Sequence, residues 1–227
     1  MNNSSVDIIT YNVQRDHSGN TVSAVWQLVQ EHPTAVICLQ EVTEAVGRRL
    51  SEVFPTSSHQ DENMIIAPPG AELLSPTSHL FGSTTRSFLI TEMQQKGHNP
   101  IRLLTWKLRH GLSFLERYMV LREIFQLCSS DPTLLALDTN CILPGEFRIM
   151  FSFLSRHGFG STHHPEGTHD KRRLEHSWWR HTPVQFARSE LDRILFSSHF
   201  WLSWSSVIPW IISSDHEPVV ATLNRLN

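Results

Sequence analysis

Apolar positions along this chain fall into short runs separated by polar turns. Val6–Val13 is a β-branched run that reads as a strand, and Ala35–Gln40 (AVICLQ) is apolar throughout, as a strand buried on both faces is. Met64–Ala67, Ser87–Gln94, Ile101–Leu108, Thr133–Leu137, Leu191–Ser197, Trp201–Ile208 and Pro218–Leu223 also read as strands. Thr21–His32 has helical spacing, with Val22, Val25, Trp26 and Val29 on one face, and Pro33 ends it. Thr43–Phe54 reads as a helix stopped by Pro55. Leu112–Leu127 reads as a helix through Leu115, Met119, Leu121, Ile124 and Leu127, and Glu146–Arg156 is a fourth. Gly158–Ser189 has no clear period and is expected to be a long loop, which at that length is usually functional or mobile. With no repeat or linker, residues 1–227 read as a single α/β domain, two packed sheets with helices outside.

Composition narrows the class. At 40% hydrophobic and 18% charged residues, the 227-residue chain can bury a core, which argues against disorder. The balance of 19 Lys+Arg against 22 Asp+Glu gives −3 and excludes a basic nucleic-acid coat protein. A polyanionic partner has to be met by a local patch. The 14 histidines make that balance pH-sensitive. Cys38, Cys128 and Cys141 are odd in number with apolar neighbours, so a reducing compartment is expected rather than a disulfide framework. The start, MNNSSVDIITYN, lacks the features of a standard secretory signal, and serines and Pro209 break the apolar stretch from Phe200 to Ile212. A cytoplasmic monomer without a membrane span is the expectation.

The chemistry-bearing residues sit where buried strands end. The first strand ends in Thr10-Tyr11-Asn12, AVICLQ runs into Glu41, and the Thr133 strand ends in Asp138-Thr139-Asn140. Near the C-terminus Asp215-His216 follows Ile211–Ser214. Strand ends are rigid mounts, and several of them on one rim make a site. Hard oxygen ligands with few nitrogens suit Mg²⁺ or Mn²⁺ rather than zinc. Such a metal beside a histidine and amides suits attack by water on a phosphate ester. Each piece alone has a plainer reading. Asn12 suits a turn, Glu41 a first-turn helix acid, Asp138 and Asn140 an Asx-turn, and Asp192-Arg193 a surface ion pair.

Taken in order, ITYN, LQEV, LDTN, LDRILFS and SDHEPVVATL resemble the motifs of the endonuclease/exonuclease/phosphatase superfamily, from Ile8 to Leu223. That resemblance implies a four-layer α/β sandwich, two mixed sheets flanked by helices (DNase I-like), and a divalent-metal-dependent phosphoesterase. It implies that Glu41 is the main metal ligand, with Asn12 and Asp215 beside the metal. Asp138 resembles the carboxylate that orients or deprotonates the attacking water, and Asn140 the amide at the scissile phosphate. His216 would stabilise charge on a non-bridging oxygen, buttressed by Asp192. Three positions depart from the family pattern. The register TWKLRHG puts Lys107 where a histidine or tyrosine is usual; its ammonium suits holding a phosphate oxygen, and His110, three residues on, is the alternative for that role. Leu137 replaces a glycine in Gly-Asp-x-Asn, and Gln14 stands where abasic endonucleases often carry an aspartate. The motifs Asp-Thr-Asn, Leu-Asp-Arg-Ile and Ser-Asp-His look most like the tyrosyl-DNA phosphodiesterase branch. The expected activity is phosphodiester hydrolysis in nucleic acid. The alternatives are a phosphomonoesterase on sugar, inositol or lipid phosphates, and a degenerate member that only binds a phosphorylated partner.

The stretch His157–Arg188 holds six histidines to residue 181, with Lys171, Arg172, Arg173, Arg180 and Arg188 around Trp178 and Trp179. Basic groups beside aromatics suit a phosphate backbone and stacked bases; a solvated loop fits equally well. A zinc site there lacks finger spacing. His216-Glu217 does not open a metalloprotease helix, because Pro218 breaks it. Trp201, Trp204 and Trp210 read as core or edge packing.

Overall fold

The structure, a computed structural model, describes residues 5–14, 20–80, 87–108, 113–128, 130–140, 146–170, 188–209 and 214–226. Two six-stranded mixed sheets pack face to face. The first has strand order β13 (Phe200–Val207), β14 (Val219–Arg225), β1 (Ser5–Asn12), β2 (Ala35–Gln40), β4 (Asn63–Ile66), β3 (Ser57–Gln60). The second has the order β5 (Ala71–Leu80), β6 (Ser87–Gln95), β7 (Ile101–Lys107), β8 (Thr133–Asp138), β12 (Asp192–Phe196), β9 (Gly160–Ser161). A two-residue pair, β10 (His169–Asp170) with β11 (Arg188–Ser189), lies apart. Each sheet has one parallel pair near its centre, β1–β2 and β7–β8.

The period of two explains why the central strands read as unbroken apolar runs. Val36 and Cys38 of β2 face the core between the sheets, with Ile8, Leu103, Leu134, Ala136 and Ile194. Ile37 and Leu39, the alternate residues, pack with Val25 and Leu28 of α1 (Asn20–Glu31) and with Val46 and Leu50 of α2 (Glu44–Val53). On the far side, Leu104, Trp106, Leu135 and Leu137 pack with Leu121 and Ile124 of α3 (Phe114–Cys128) and Leu154 of α4 (Glu146–Arg156). Every strand residue in these runs thus meets either the other sheet or a helix. The architecture is the expected four-layer sandwich.

Some local readings need correction. In α1 the buried face is Thr21, Val25 and Leu28, whereas Trp26 is 51% exposed. In α3 Leu115, Met119 and Leu127 face solvent, and Arg117, Val120, Leu121, Ile124 and Cys128 are buried. Of the core-or-edge alternatives for Trp201 and Trp204, the structure selects the edge: both lie on the edge strand β13 and are about half exposed. Strands β3 (SSHQ) and β5 (AELLSPTSHL) carry too many polar residues to show an apolar run; β5 holds Pro76 because it is a sheet edge with a register shift between Leu74 and Thr77. Within the stretch read as one long loop, Gly160–Ser161 and His169–Asp170 are strand-paired. Its Lys171, Arg172, Arg173, His176, Trp178, Trp179, Arg180 and His181 lie outside the described residues, as do His110, Cys141 and Trp210. Cys38 and Cys128 are free and buried, and burial pushes both thiols up, Cys128 to about 12. Among the described residues no helix is long and apolar enough to cross a membrane.

Candidate active site

The ends of both parallel pairs meet at one rim of the sandwich. On the first sheet β1 ends at Asn12 and β2 runs directly into Glu41. On the second sheet three residues stand in a row across neighbouring strands. Lys107 of β7 is the register partner of Asp138 of β8, and Asp138 is the partner of Asp192 of β12. Sheet packing brings the two groups into contact. The Asn12 amide nitrogen donates to Glu41 Oε1 at 3.1 Å and to Asp138 Oδ2 at 2.8 Å, so one side chain joins carboxylates from two sheets.

The backbone is forced at three of these strand ends. Gln14 (φ 56°), Glu41 (φ 59°) and Asn140 (φ 46°) all adopt the left-handed conformation, which non-glycine residues seldom use. Such outliers persist where the surrounding contacts hold them, and they cluster at functional sites. The contacts are present. Gln14 N–H donates to Asn12 Oδ1 at 2.9 Å, and Gln14 Oε1 accepts from Asp215 N–H at 3.3 Å. The buried Arg117 guanidinium donates to the carbonyls of Thr139 and Asn140. Asn140 N–H donates to Asp138 Oδ1 at 3.1 Å.

Asp192 and His216 form the second half of the site. His216 Nδ1 and Asp192 Oδ2 are 2.7 Å apart, and both residues are buried. Thr168 closes the arrangement: its hydroxyl donates to Asp192 Oδ2 at 2.9 Å and accepts from the N–H groups of Leu191 and Asp192. The segment carrying Thr168 lies beside the His216 segment, through Glu217 N–H to the Thr168 carbonyl at 2.7 Å and a bridge between His169 and His216. The Ser214 hydroxyl accepts from His216 N–H and donates to the Asn12 carbonyl, which ties the histidine back to β1.

The electrostatics follow from burial and pairing. Burial works against the charged form of His216, but the charge and hydrogen bond of Asp192, with Asp138 and Asp215 nearby, push it up to about 9. Burial pushes Asp192 up in turn, against the pull of the His216 charge. The imidazolium–carboxylate pair is the form that satisfies both at neutral pH. Burial also opposes ionisation of Asp215, but the 2.9 Å contact from His169 Nε2 and the charges of His216 and His169 hold its carboxyl below the usual range. With Nδ1 engaged by Asp192, Nε2, which lies 3.9 Å from Asp215 Oδ1, is the His216 atom that can meet a ligand.

Every residue expected at the site is brought to this rim: Asn12, Glu41, Lys107, Asp138, Asn140, Asp192, Asp215 and His216. Lys107 points in, with Nζ in contact with Glu41 Oε1 and 3.5 Å from Asp138 Oδ2. Thr168 and His169 lie in the stretch without a sequence period, and Gln14 stands at a position that departs from the family pattern. No local signal marks them, since each acts on a residue more than 20 positions away. Two groups of three, His169–Asp215–His216 and Asp138–Asp192–His216, have ligand atoms within 4.8 Å of one another. Glu41 and Asp215 offer hard carboxylate oxygens, and Asp215 Oδ1 is buried with no hydrogen-bond partner among the described residues. That donor chemistry fits a hard divalent cation. Asn12 turns its nitrogen, not its oxygen, toward Glu41, and so positions that carboxylate.

Known structures share this architecture. D. rerio TDP2 in complex with a single-strand DNA product superposes with a TM-score of 0.76 at 19% identity, over 97% of this chain and 99% of that one. An endonuclease/exonuclease/phosphatase from Bacteroides vulgatus gives 0.76 at 13% identity, over 98% and 100%. The mannosyl-6-phosphatase Bt3783 of Bacteroides thetaiotaomicron gives 0.71 at 13%, over 96% and 99%. TDP2 stands on the side of the family that the Asp-Thr-Asn, Leu-Asp-Arg-Ile and Ser-Asp-His motifs resemble. No curated protein matches the chain by sequence. The sequence model of the Endonuclease/Exonuclease/phosphatase family matches residues 9–216, a span that runs from the first site strand to His216. The chain therefore belongs to the endonuclease/exonuclease/phosphatase family.

Proposed function

We propose that the protein is a divalent-metal-dependent phosphodiesterase whose substrate is nucleic acid. The observation that carries this reading is the buried Asp192–His216 pair, 2.7 Å apart, set beside two acceptors suited to a water molecule. Those acceptors are the Asp138 carboxylate and Asn140 Oδ1, which is buried without a hydrogen-bond partner among the described residues. Asn140 Nδ2 is committed to the Leu108 carbonyl and Asp138, which fixes its oxygen as the free end.

The residues divide the work by their chemistry. Asp138 and Asn140 Oδ1 accept the two protons of a water, aiming a lone pair at phosphorus, and Asp138 takes the proton as attack proceeds. His216 Nε2–H donates to a non-bridging phosphate oxygen and stabilises the charge that grows there. Asp192 and Thr168 hold the imidazolium in place. Glu41 and Asp215 would hold the cation, which when bound supplies Lewis-acid polarisation of a phosphate oxygen. The similarity to a TDP2 complex with single-strand DNA product supports the choice of nucleic acid. The similarity to a mannosyl-6-phosphatase supports a second reading, a sugar phosphomonoesterase with the same site chemistry.

The test is hydrolysis of bis-p-nitrophenyl phosphate with Mg²⁺, Mn²⁺ or EDTA, by the native protein and by Asp138→Ala and His216→Ala. Turnover that depends on metal and is lost in both variants is expected. Turnover unaffected by either substitution would overturn the assignment. A panel of single-stranded DNA, RNA and sugar or inositol phosphates then separates the two readings.

A further inference from the structure

A cation supplied by the protein itself already faces the carboxylates at this rim. Lys107 Nζ is in direct contact with Glu41 Oε1 and lies 3.5 Å from Asp138 Oδ2. The Asn12 amide nitrogen reaches the same two oxygens. The Lys107 and Glu41 side chains are only 9% and 11% exposed, and that of Asp138 is fully buried. Two carboxylates gathered in so little solvent repel each other and lose hydration, so an ammonium between them stabilises the arrangement. Lysine suits this place as a compact point charge on a flexible stem, able to leave it by changing rotamer.

The same contact opposes a divalent ion. An ion on Glu41 must take the carboxylate that Lys107 holds. Two cations at one carboxylate in a poorly solvated cleft repel strongly. We propose that Lys107 is the resident counterion of Glu41, and that a divalent cation binds Glu41 only by displacing it. Metal binding and the Lys107–Glu41 ion pair are then mutually exclusive states of one site. The inference rests on Glu41 as the metal anchor of the proposed function, and it adds a competitor built into the chain.

The experiment measures Mn²⁺ affinity by electron paramagnetic resonance and calorimetry, without substrate. It uses the native protein, Lys107→Met, Lys107→Gln, Glu41→Gln, and Lys96→Met as a control at an exposed lysine. Both Lys107 variants are expected to bind Mn²⁺ roughly ten- to a hundredfold more tightly, the range of a typical coupling between sites. Lys96→Met should match the native protein and Glu41→Gln should lose binding. A second readout needs no variant. The chain has three lysines, Lys96, Lys107 and Lys171, so acetic anhydride labelling can be read by mass spectrometry at each. Lys107 labelling is expected to rise when Mg²⁺ is added, while Lys96 stays constant. Equal Mn²⁺ affinity in the native protein and both Lys107 variants, or Lys107 labelling indifferent to Mg²⁺, overturns the competition and leaves the metal site standing. Absence of Mn²⁺ binding in every protein at millimolar concentration overturns Glu41 as the anchor, and the competition with it.

Discussion

His216 Nδ1 meets Asp192 Oδ2 at 2.7 Å although 24 residues separate them, and both side chains are buried where the two sheets converge. Asp192 is held from the other side by Thr168, so the imidazole is fixed through Nδ1, while Nε2 lies 3.9 Å from Asp215 Oδ1. A buried carboxylate on one imidazole nitrogen raises the basicity of the ring and aims the other nitrogen outward.

Asp192→Asn removes the charge and keeps the shape. The His216 pKa is expected to fall from about 9 toward or below 6.5, because burial then acts without its main counterweight. Turnover at pH 7.5 should fall by roughly 10- to 100-fold, as for other partners that orient a site histidine. The check is an NMR titration of the imidazole protons alongside initial rates. An unchanged titration midpoint would show that Asp192 does not govern this histidine.

The same pair predicts how stability varies with pH. The His216 pKa is raised in the folded state, to about 9 from the ordinary histidine value of about 6.5. Its contribution is therefore fully present below about 6.5 and is lost as pH rises through about 9. Asp215 is shifted down, so its contribution is present above the ordinary carboxylate range and is lost as pH falls through its lower folded value. Urea denaturation of the native protein and His216→Gln at pH 6, 7.5 and 10 is the measurement. The stability gap between them should be widest at pH 6 and narrowest at pH 10; a constant gap contradicts the pairing.

Thr168→Val keeps the volume of a buried side chain and deletes its hydroxyl. The Leu191 and Asp192 N–H groups then lose their acceptor, and Asp192 loses a donor. Each buried group left unpaired costs about 1–3 kcal/mol, so a loss near the upper end of that range is expected. Thr168→Ser should retain most of the stability. Urea midpoints compare the three proteins, and equal midpoints for Val and Ser would exclude the hydroxyl as the cause.

Gly160 on β9 has the Phe196 ring against it, and a Cβ there would overlap Cε2 and Cζ of the ring. Gly160→Ala should destabilise the fold by about 1–3 kcal/mol, the usual cost of overpacking. Phe196→Leu in the same background should recover part of the loss, because the ring is the obstacle. Thermal melts of the single and double variants test this. Additive losses in the double variant would place the strain elsewhere.

Much of this protein was legible in local sequence. AVICLQ and TLLALD declare central strands because AVICL and LLAL are unbroken apolar runs up to a final polar position, and a strand with a sheet on one face and helices on the other needs that composition. The site residues Asn12, Glu41 and Asp138 were visible for the same reason: a polar or acidic residue at the end of such a run is out of place in a core. Asp192, the first residue of its strand, was marked only by the resemblance of LDRILFS to the family motif. Edge strands were not legible. β5 keeps most of its length exposed, so no apolar pattern is required of it. The buried faces of α1 and α3 were misjudged because apolar side chains such as Trp26 and Met119 remain on the surface, and helical period alone does not say which stripe meets the sheet.

What the chain alone determined is the strands, their polar ends and the types of group available for chemistry. Tertiary structure decided which of those groups touch. Register placed Lys107, Asp138 and Asp192 side by side, sheet packing joined Asn12 and Glu41 to them, and a connecting segment delivered Thr168 and His169. The physical reason is range. Strand period and strand-end polarity arise between neighbours along the chain, whereas the Lys107–Glu41 ion pair spans 66 positions and exists only once two sheets have closed on each other.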